Sequence, residues 1–148
     1  MPIRLLIPVA LAQGLWVRQT TPRLSPARGH RGRFGEGSNP IRVTGVGDSI
    51  IAGVGVDEQR HALVGQFARR LHERTRRPVE WKAVGFNGAT SAEVARSIAR
   101  RAPGANVYLL SVGVNDVTHA VAVKSFAGNV ASLVAALTRT MAVPGAGT

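Results

Sequence analysis

From residue 41 onward, apolar and polar positions follow a regular order of alternating strand and helix patterns. Residues 41–47, 79–85 and 105–113 are short apolar runs bounded by glycine or proline, which predicts three strands. The third run is almost continuously apolar, so we expect this strand at the centre of a sheet that is covered on both faces.

Three helical patterns follow these strands. Residues 58–78, 90–104 and 124–141 carry apolar side chains every three to four positions, which predicts amphipathic helices. The second pattern begins with a capping box of Thr90 and Glu93. The residues expected on the core face of the last helix are Phe126, Val130, Leu133, Val134 and Leu137. The alternation predicts an α/β fold with three layers (α/β/α) and a flavodoxin-like parallel sheet.

The first forty residues lack this order. Residues 3–17 are apolar but too short and too interrupted to span a bilayer, and arginines follow the run, whereas the charge of a signal peptide precedes it. We expect a short segment that docks on the domain or on a membrane surface, which favours a cytoplasmic or membrane-associated location and leaves export open. Residues 20–40 are rich in Pro, Gly and Arg, which is typical of a linker. The predicted division is 1–40 and 41–148.

Composition and charge narrow the classes of function. The chain has 148 residues, 45% of them hydrophobic, which is enough for one domain with a core. The absence of cysteine excludes disulfides, thiolate zinc sites and a cysteine nucleophile. The net charge of +11 would suit nucleic acid, but the arginines are scattered, so we expect a solvated basic surface and no nucleic-acid partner. A nucleic-acid-binding protein that uses the N-terminal segment is the less favoured alternative.

The three predicted strands all end in polar, glycine-bearing loops: GVGDSIIAG, VGFNGATS and SVGVNDVTH. Ligands of parallel sheets bind beyond the carboxyl ends of the strands, so these loops are the candidate site. A dinucleotide fingerprint would need glycine at Ile50, and a phosphate-binding loop would need a lysine that is absent. The nucleophile elbow of other serine hydrolases would need glycine at Ile51. In isolation, Ser49 would suit a helix N-cap and Asn115 a turn.

Taken in order, GDSI, NGAT and GVND resemble three sequence blocks of the SGNH (GDSL-type) hydrolase family, over roughly residues 41–140. Ile50 stands where the family usually has leucine. The resemblance implies that Ser49 is the nucleophile of an esterase or lipase that forms an acyl-enzyme. It also implies an oxyanion hole from the backbone N–H groups of Ser49 and Gly88 and the side-chain amide of Asn115. No cofactor or metal is implied, and small acyl esters, lipids and acetylated carbohydrates are all candidate substrates.

The family takes its catalytic base from a late Asp-x-x-His block that follows further strands, and no such late block is found in the chain. Asp116, within the third block, is not expected to be the acid of the family's triad. We therefore expect a hydrolase domain that is incomplete at its C-terminus, and an esterase that is truncated or impaired. His119 lies close to the third block, where we expect it to pack or to fix the loop. The main alternative is a non-catalytic binding module that keeps the SGNH fold.

Overall fold

The computed structural model describes Gln13, Trp16 and residues 24–141. Most of the predicted N-terminal apolar segment lies outside the described residues. The described part contains one sheet of four strands in the order β1-β3-β2-β4. The strands are β1 (Arg31–Phe34), β2 (Ile41–Gly47), β3 (Val79–Gly85) and β4 (Val107–Ser111).

Strands β2, β3 and β4 run parallel, as predicted, and the bounds of β2 and β3 are those expected from the sequence. Gly47 lies opposite both Gly85 and Ser111, so the three strands end together at one edge of the sheet. The loops that follow them are therefore adjacent in space. This is the α/β arrangement predicted from the alternation of strands and helices.

Strand β1 is a difference from the prediction, because it lies inside the stretch expected to be a linker. It pairs antiparallel with β3, with Arg31 opposite Lys82 and Phe34 opposite Val79, so the sheet is mixed. Gly32 allows this pairing, since a Cβ there would lie 2.6 Å from the ring of Trp81. Its short length and its glycine and arginine content conceal the strand in the sequence.

Helix α1 spans Leu63–Thr75, after a 3-10 turn over Gln59–His61, and ends at Arg76 in the left-handed conformation (φ 58°). The helical segment α2 has three pieces: an α-helical turn over Ser91–Glu93, a π-helical stretch over Val94–Ile98 and a 3-10 turn over Ala99–Arg101. A short α3 (Val114–Thr118) and a longer α4 (Val123–Thr138) follow β4. None of the helices in the described part is long and apolar enough to cross a bilayer.

The capping box at the start of α2 is present, but the uniform helix predicted over 90–104 is not. The backbone N–H of Thr90 donates to Glu93 Oε2 at 2.8 Å, and Thr90 Oγ1 accepts from the N–H of Glu93. After Glu93 the hydrogen-bond period changes, and Val94 and Ala102 both reach the core. The short helix α3 also lies where the sequence predicted only a loop.

Two apolar clusters pack on opposite faces of the sheet. One joins α1 to the sheet and contains Val43, Ile51, Val64, Ala68, Val79, Trp81 and Ala83. The other joins α2 and α4 to the sheet and contains Val46, Ala89, Val94, Ala102, Leu133 and Leu137. Val43 and Val46 belong to different clusters because neighbouring strand positions of opposite parity point to opposite faces. These clusters give the three-layer arrangement.

Two expectations about the core are wrong. Strand β4 lies at the edge of the described sheet, next to β2 alone, and Leu110 is 40% exposed. An apolar run indicates apolar surroundings on both faces but does not fix the number of neighbouring strands. On α4, Val134 is 45% exposed although it was expected in the core, because the residues that this helix buries are Leu133 and Leu137.

Candidate active site

Strand β2 ends in a tight turn against the end of β4. A Cβ added at Gly47 would meet the carbonyl oxygen of Ser111, so only glycine fits at this position. The next backbone N–H, that of Asp48, donates to the same carbonyl oxygen at 3.0 Å. The close approach of the two strand ends therefore depends on the glycine of the GDSI block.

The carboxylate of Asp48 braces the turn from inside. Asp48 is almost fully buried, and its Oδ1 accepts hydrogen bonds from the Ile50 N–H at 3.0 Å and the Ser111 hydroxyl at 3.2 Å. Ser49, between these anchored residues, is partly exposed. The buried carboxylate thus holds the turn so that Ser49 lies at its tip. No role for Asp48 was expected from the sequence.

The chain after Ser49 forms a helical turn. The carbonyl oxygens of Asp48 and Ser49 accept from the N–H groups of Ala52 and Val54, both at 3.0 Å. Buried Gln59 supports this turn by donating from Nε2 to the Ile51 carbonyl oxygen at 2.8 Å. Within residues 24–141, neither the hydroxyl nor the backbone N–H of Ser49 has a hydrogen-bond partner.

The loop after β3 passes beside the serine turn. The N–H of Phe86 donates to the Gly47 carbonyl oxygen at 3.1 Å, which joins this loop to the end of β2. Gly88 has a φ of +81°, a conformation that favours glycine, and a Cβ there would meet nothing within 4 Å. Its N–H donates to no group in the described part. Gly88 is therefore a backbone donor that borders open space.

That open space is a cavity of about 270 Å³ next to Gly88, which Phe86, Glu93 and Arg101 also line. The Arg101 guanidinium lies 5.8 Å from the centroid of the Phe86 ring. Hydrogen bonds from the backbone N–H and the hydroxyl of Thr90 hold the pKa of Glu93 below its ordinary value, with a smaller contribution from the charge of His119. The cavity wall thus carries a carboxylate that is ionised at neutral pH.

The loop after β4 brings Asn115 to the second loop. Gly113 has a φ of +128° and begins α3, and the Asn115 amide Nδ2 donates to the Ala89 carbonyl oxygen at 2.9 Å. One of its two N–H bonds is used in this way, and the other is left to donate elsewhere. Asn115 is partly buried. It therefore adjoins the Gly88 loop directly.

A buried network below these loops fixes their positions. Asp116 is 3% exposed and accepts from the Ser91 N–H at 2.8 Å and the Ser91 hydroxyl at 2.5 Å. Asn129 on α4 donates to the Ser91 hydroxyl at 3.0 Å. The network ties α3 to α2 and α4, and it was not expected from the sequence. Its only signal was a carboxylate directly after Asn115.

The three residues implied by the resemblance therefore lie on adjoining loops at one edge of the sheet. Hydrogen bonds join the three loops in pairs: Phe86 to Gly47 joins the Gly88 loop to the Ser49 loop, Asp48 to Ser111 joins the Ser49 loop to the end of β4, and Asn115 to Ala89 joins the Asn115 loop to the Gly88 loop. Two N–H groups and one amide are available there as donors. Their assignment as an oxyanion hole stays a prediction.

All four histidines lie in the described part, and none is hydrogen-bonded to Ser49. His119 is exposed, and its Nδ1 lies 2.7 Å from the Asn115 carbonyl oxygen, in agreement with the expected loop-fixing role. Nδ1 of His72 lies 2.7 Å from the Arg77 carbonyl oxygen, at the end of α1. Among residues 24–141, no group of three or more His, Asp or Glu side chains is placed to hold a metal ion.

Comparison with solved structures agrees with this fold. The crystal structure of AlinE4, an SGNH-hydrolase family esterase, superposes with a TM-score of 0.60 at 19% identity, covering 72% of this chain and 56% of AlinE4. Two mutants of AlinE4 superpose equally well, at 19% and 18% identity. The chain thus spans little more than half the length of these esterases.

Sequence comparison gives the family. Among curated proteins no match was found. The model of the GDSL-like Lipase/Acylhydrolase family matches residues 46–147, which include all three loops of the candidate site. The chain therefore belongs to the GDSL-like lipase/acylhydrolase family of hydrolases.

Proposed function

We propose that this protein hydrolyses carboxylic esters with Ser49 as the nucleophile. The observation that carries the proposal is the position of Ser49 at the tip of a turn braced by buried Asp48, beside the loops of Gly88 and Asn115. An acyl-transfer site needs an accessible hydroxyl and preorganised N–H donors for the oxyanion, and this edge of the sheet offers both.

In the proposed reaction, Ser49 Oγ attacks the acyl carbon and loses its proton to a base. The carbonyl oxygen becomes an oxyanion that accepts from the N–H groups of Ser49 and Gly88 and from the amide of Asn115. The C–O bond to the leaving alcohol then breaks, the alcohol takes a proton, and an acyl-serine remains. Water attacks this ester and releases the carboxylic acid. Small acyl esters, lipids and acetylated carbohydrates are the proposed substrate classes.

We also propose that the activity of this chain is impaired, because none of its histidines is hydrogen-bonded to Ser49. Serine is a weak nucleophile unless a base accepts its proton. In the serine-protease template, the oxyanion hole and binding alone retain about 10³–10⁴ over the reaction in water. We expect the chain by itself to accelerate the reaction by a factor of that order.

Hydrolysis of 4-nitrophenyl acetate, with free imidazole added as a replacement base, tests both the role of Ser49 as nucleophile and the impaired activity of the chain. We expect slow turnover by the unmodified chain. Imidazole should raise this rate by more than it raises hydrolysis in protein-free buffer, and Ser49→Ala should lose the additional increase. Ser97→Ala is the matched control, since Ser97 is an exposed serine that lines the cavity next to Gly88, and it should behave as the unmodified chain does.

Two outcomes separate the parts of the proposal. A Ser49-dependent rate above about 1 s⁻¹ without imidazole, within the ordinary range of enzymes, would show that the chain is not impaired. Equal rates for the unmodified chain and Ser49→Ala under all conditions would remove Ser49 as nucleophile. That result would favour the second candidate, a non-catalytic binding module, which the lack of a histidine partner at Ser49 also supports.

A further inference from the structure

A second concave surface lies at the amino ends of the parallel strands, away from the edge that carries Ser49. It is a groove of about 640 Å³ on the sheet face that also carries α4. Strands β1, β2 and β3 form its floor, and Pro103 and Gly104 form part of its wall. Its volume is in the range of small-molecule sites in proteins.

The strand register arranges charged side chains over this floor in two rows. In one row Arg31 lies opposite Lys82, and Lys82 lies beside Thr44. In the other row Arg33 lies opposite Glu80, which is itself beside Arg42. Alternate residues of a strand share a face, so all six side chains belong to the same side of the sheet. Four are cations and one is an anion.

Within the part of the chain that the structure describes, one of these four cations has a carboxylate partner. Arg33 forms an ion pair with Glu80 at 2.9 Å and also donates to the carbonyl oxygens of Gly35 and Gly37. Arg31, Arg42 and Lys82 have no carboxylate partner within residues 24–141. Like charges directly opposite each other destabilise a strand pair, and Arg31 and Lys82 are such a pair.

Thr44 adds a neutral hydroxyl to the groove. It is 2% exposed and lines the groove, yet its hydroxyl has no hydrogen-bond partner in the described part of the chain. The hydroxyl oxygen is not among the fully buried, unpartnered polar atoms of the described residues, so it keeps accessible surface and is free to donate to a ligand. Here the hydroxyl lies in the same row as Lys82, on the face of the unpaired cations.

We propose that this groove binds the phosphate group of a small phosphorylated molecule. A phosphate dianion accepts several charge-assisted hydrogen bonds, and the groove offers two guanidinium groups, one ammonium and one hydroxyl. A carboxylate has a single charge and would leave most of these cations unneutralised. The phosphate also relieves the repulsion between Arg31 and Lys82. The site does not depend on the proposed hydrolysis at Ser49.

Titration calorimetry at constant ionic strength tests the site in the full chain, with pyrophosphate, glycerol 3-phosphate and inorganic phosphate as probes. We expect saturable binding of at least one probe, and the order of affinities separates a free inorganic anion from a phosphate ester. Lys82→Met should raise the Kd about tenfold and Thr44→Val about threefold, as expected for lost charge-assisted and neutral hydrogen bonds. Arg74→Gln removes the same charge from an exposed site on α1 and should change the Kd less than about twofold.

Stability in the absence of ligand is a second readout. Lys82→Met should not lower the free energy of unfolding, because it removes the like-charge pair with Arg31. The proposal is overturned if no probe binds, or if Arg74→Gln weakens binding as much as Lys82→Met does. A different result would assign the surface to nucleic acid and would also overturn the proposal. In that case the chain retains a single-stranded oligonucleotide, Thr44→Val does not change this retention, and no small phosphate binds.

Discussion

The side-chain amide of Asn115 donates a hydrogen bond to the carbonyl oxygen of Ala89, with 2.9 Å between nitrogen and oxygen. This bond joins the loop after β4 to the loop after β3, one residue beyond Gly88. It holds the amide in one orientation and leaves its second N–H bond to donate elsewhere. In the proposed reaction this N–H stabilises the oxyanion.

Replacement of Asn115 by aspartate should therefore impair the proposed reaction severely. Asn115→Asp keeps the size of the side chain but removes both N–H donors and adds a negative charge near the oxyanion. We expect the imidazole-assisted hydrolysis of 4-nitrophenyl acetate to fall by about 10²–10³-fold, as for the loss of one oxyanion-hole donor.

Asn87→Asp is the control for this substitution, because it places the same charge on an exposed residue next to Gly88. It should change the rate by less than about threefold, the small effect of an exposed charge. Equal losses in the two variants would mean that charge near the site, and not the Asn115 donor, determines the rate.

The buried pair of Asp116 and Ser91 should contribute strongly to stability. Asp116→Asn replaces a carboxylate that accepts two hydrogen bonds from Ser91, and we expect it to lower the free energy of unfolding by about 2 kcal/mol. Urea denaturation of Asp116→Asn, Ser91→Ala and the double variant gives the coupling energy, expected at about 1–3 kcal/mol. Additive effects of the two substitutions would contradict a direct interaction.

Two glycines of the site should respond differently to alanine. Gly47→Ala places a Cβ against the Ser111 carbonyl, so we expect a loss of about 3 kcal/mol through overpacking. In Gly88→Ala the added Cβ meets no neighbouring atom. The only cost is that of holding alanine in the left-handed backbone conformation, so the free energy of unfolding should fall by about 1–2 kcal/mol. Chemical denaturation measures both, and a larger loss for Gly88→Ala would contradict this geometry.

The capping box of Thr90 and Glu93 should make the stability of the folded chain depend on pH in a definite direction. The pKa of Glu93 is lower in the folded chain than its ordinary value, chiefly through the backbone N–H and the hydroxyl of Thr90. The stabilisation by the ionised carboxylate is therefore complete above the unfolded-state pKa, about 4.3, and is lost as the pH falls through the lower folded-state pKa. Glu93→Gln should lower stability at pH 7 by about 0.5–1 kcal/mol, with a smaller difference from the unmodified chain near pH 3.

Urea midpoints at several pH values measure this effect. Glu36→Gln is the control, because Glu36 is exposed and has no hydrogen bond or ion pair with the rest of residues 24–141. It should leave the midpoint nearly unchanged at each pH. A pH-independent effect of Glu93→Gln would indicate that packing, and not the carboxylate charge, accounts for its contribution.

The sequence was most informative where local rules decide the structure. Glycine-bounded apolar runs located β2 and β3, and the capping box of Thr90 and Glu93 located the start of α2. The antiparallel strand β1 was missed because its partner is almost fifty residues away in the sequence. Long-range pairing of this kind leaves little trace in a short segment rich in glycine and arginine.

In the candidate site, too, the features set by local sequence were predicted and those set by long-range contacts were not. The residue types and order of the three loops indicated Ser49, Gly88 and Asn115, whereas the supporting groups Asp48, Gln59 and Ser91 went unassigned. Their roles depend on contacts across the fold, such as Gln59 Nε2 with the Ile51 carbonyl oxygen. Sequence motifs mark residues at the surface of a site more readily than the buried polar residues that hold them.

The most direct test of the central claim is covalent labelling of the folded chain with a fluorophosphonate, in the presence of imidazole, followed by peptide mass spectrometry. We predict one phosphonyl adduct per chain, on Ser49, that is absent from Ser49→Ala and retained in Ser97→Ala. A folded chain that carries no adduct on Ser49, or that is labelled equally after Ser49→Ala, would contradict the assignment of Ser49 as the nucleophile.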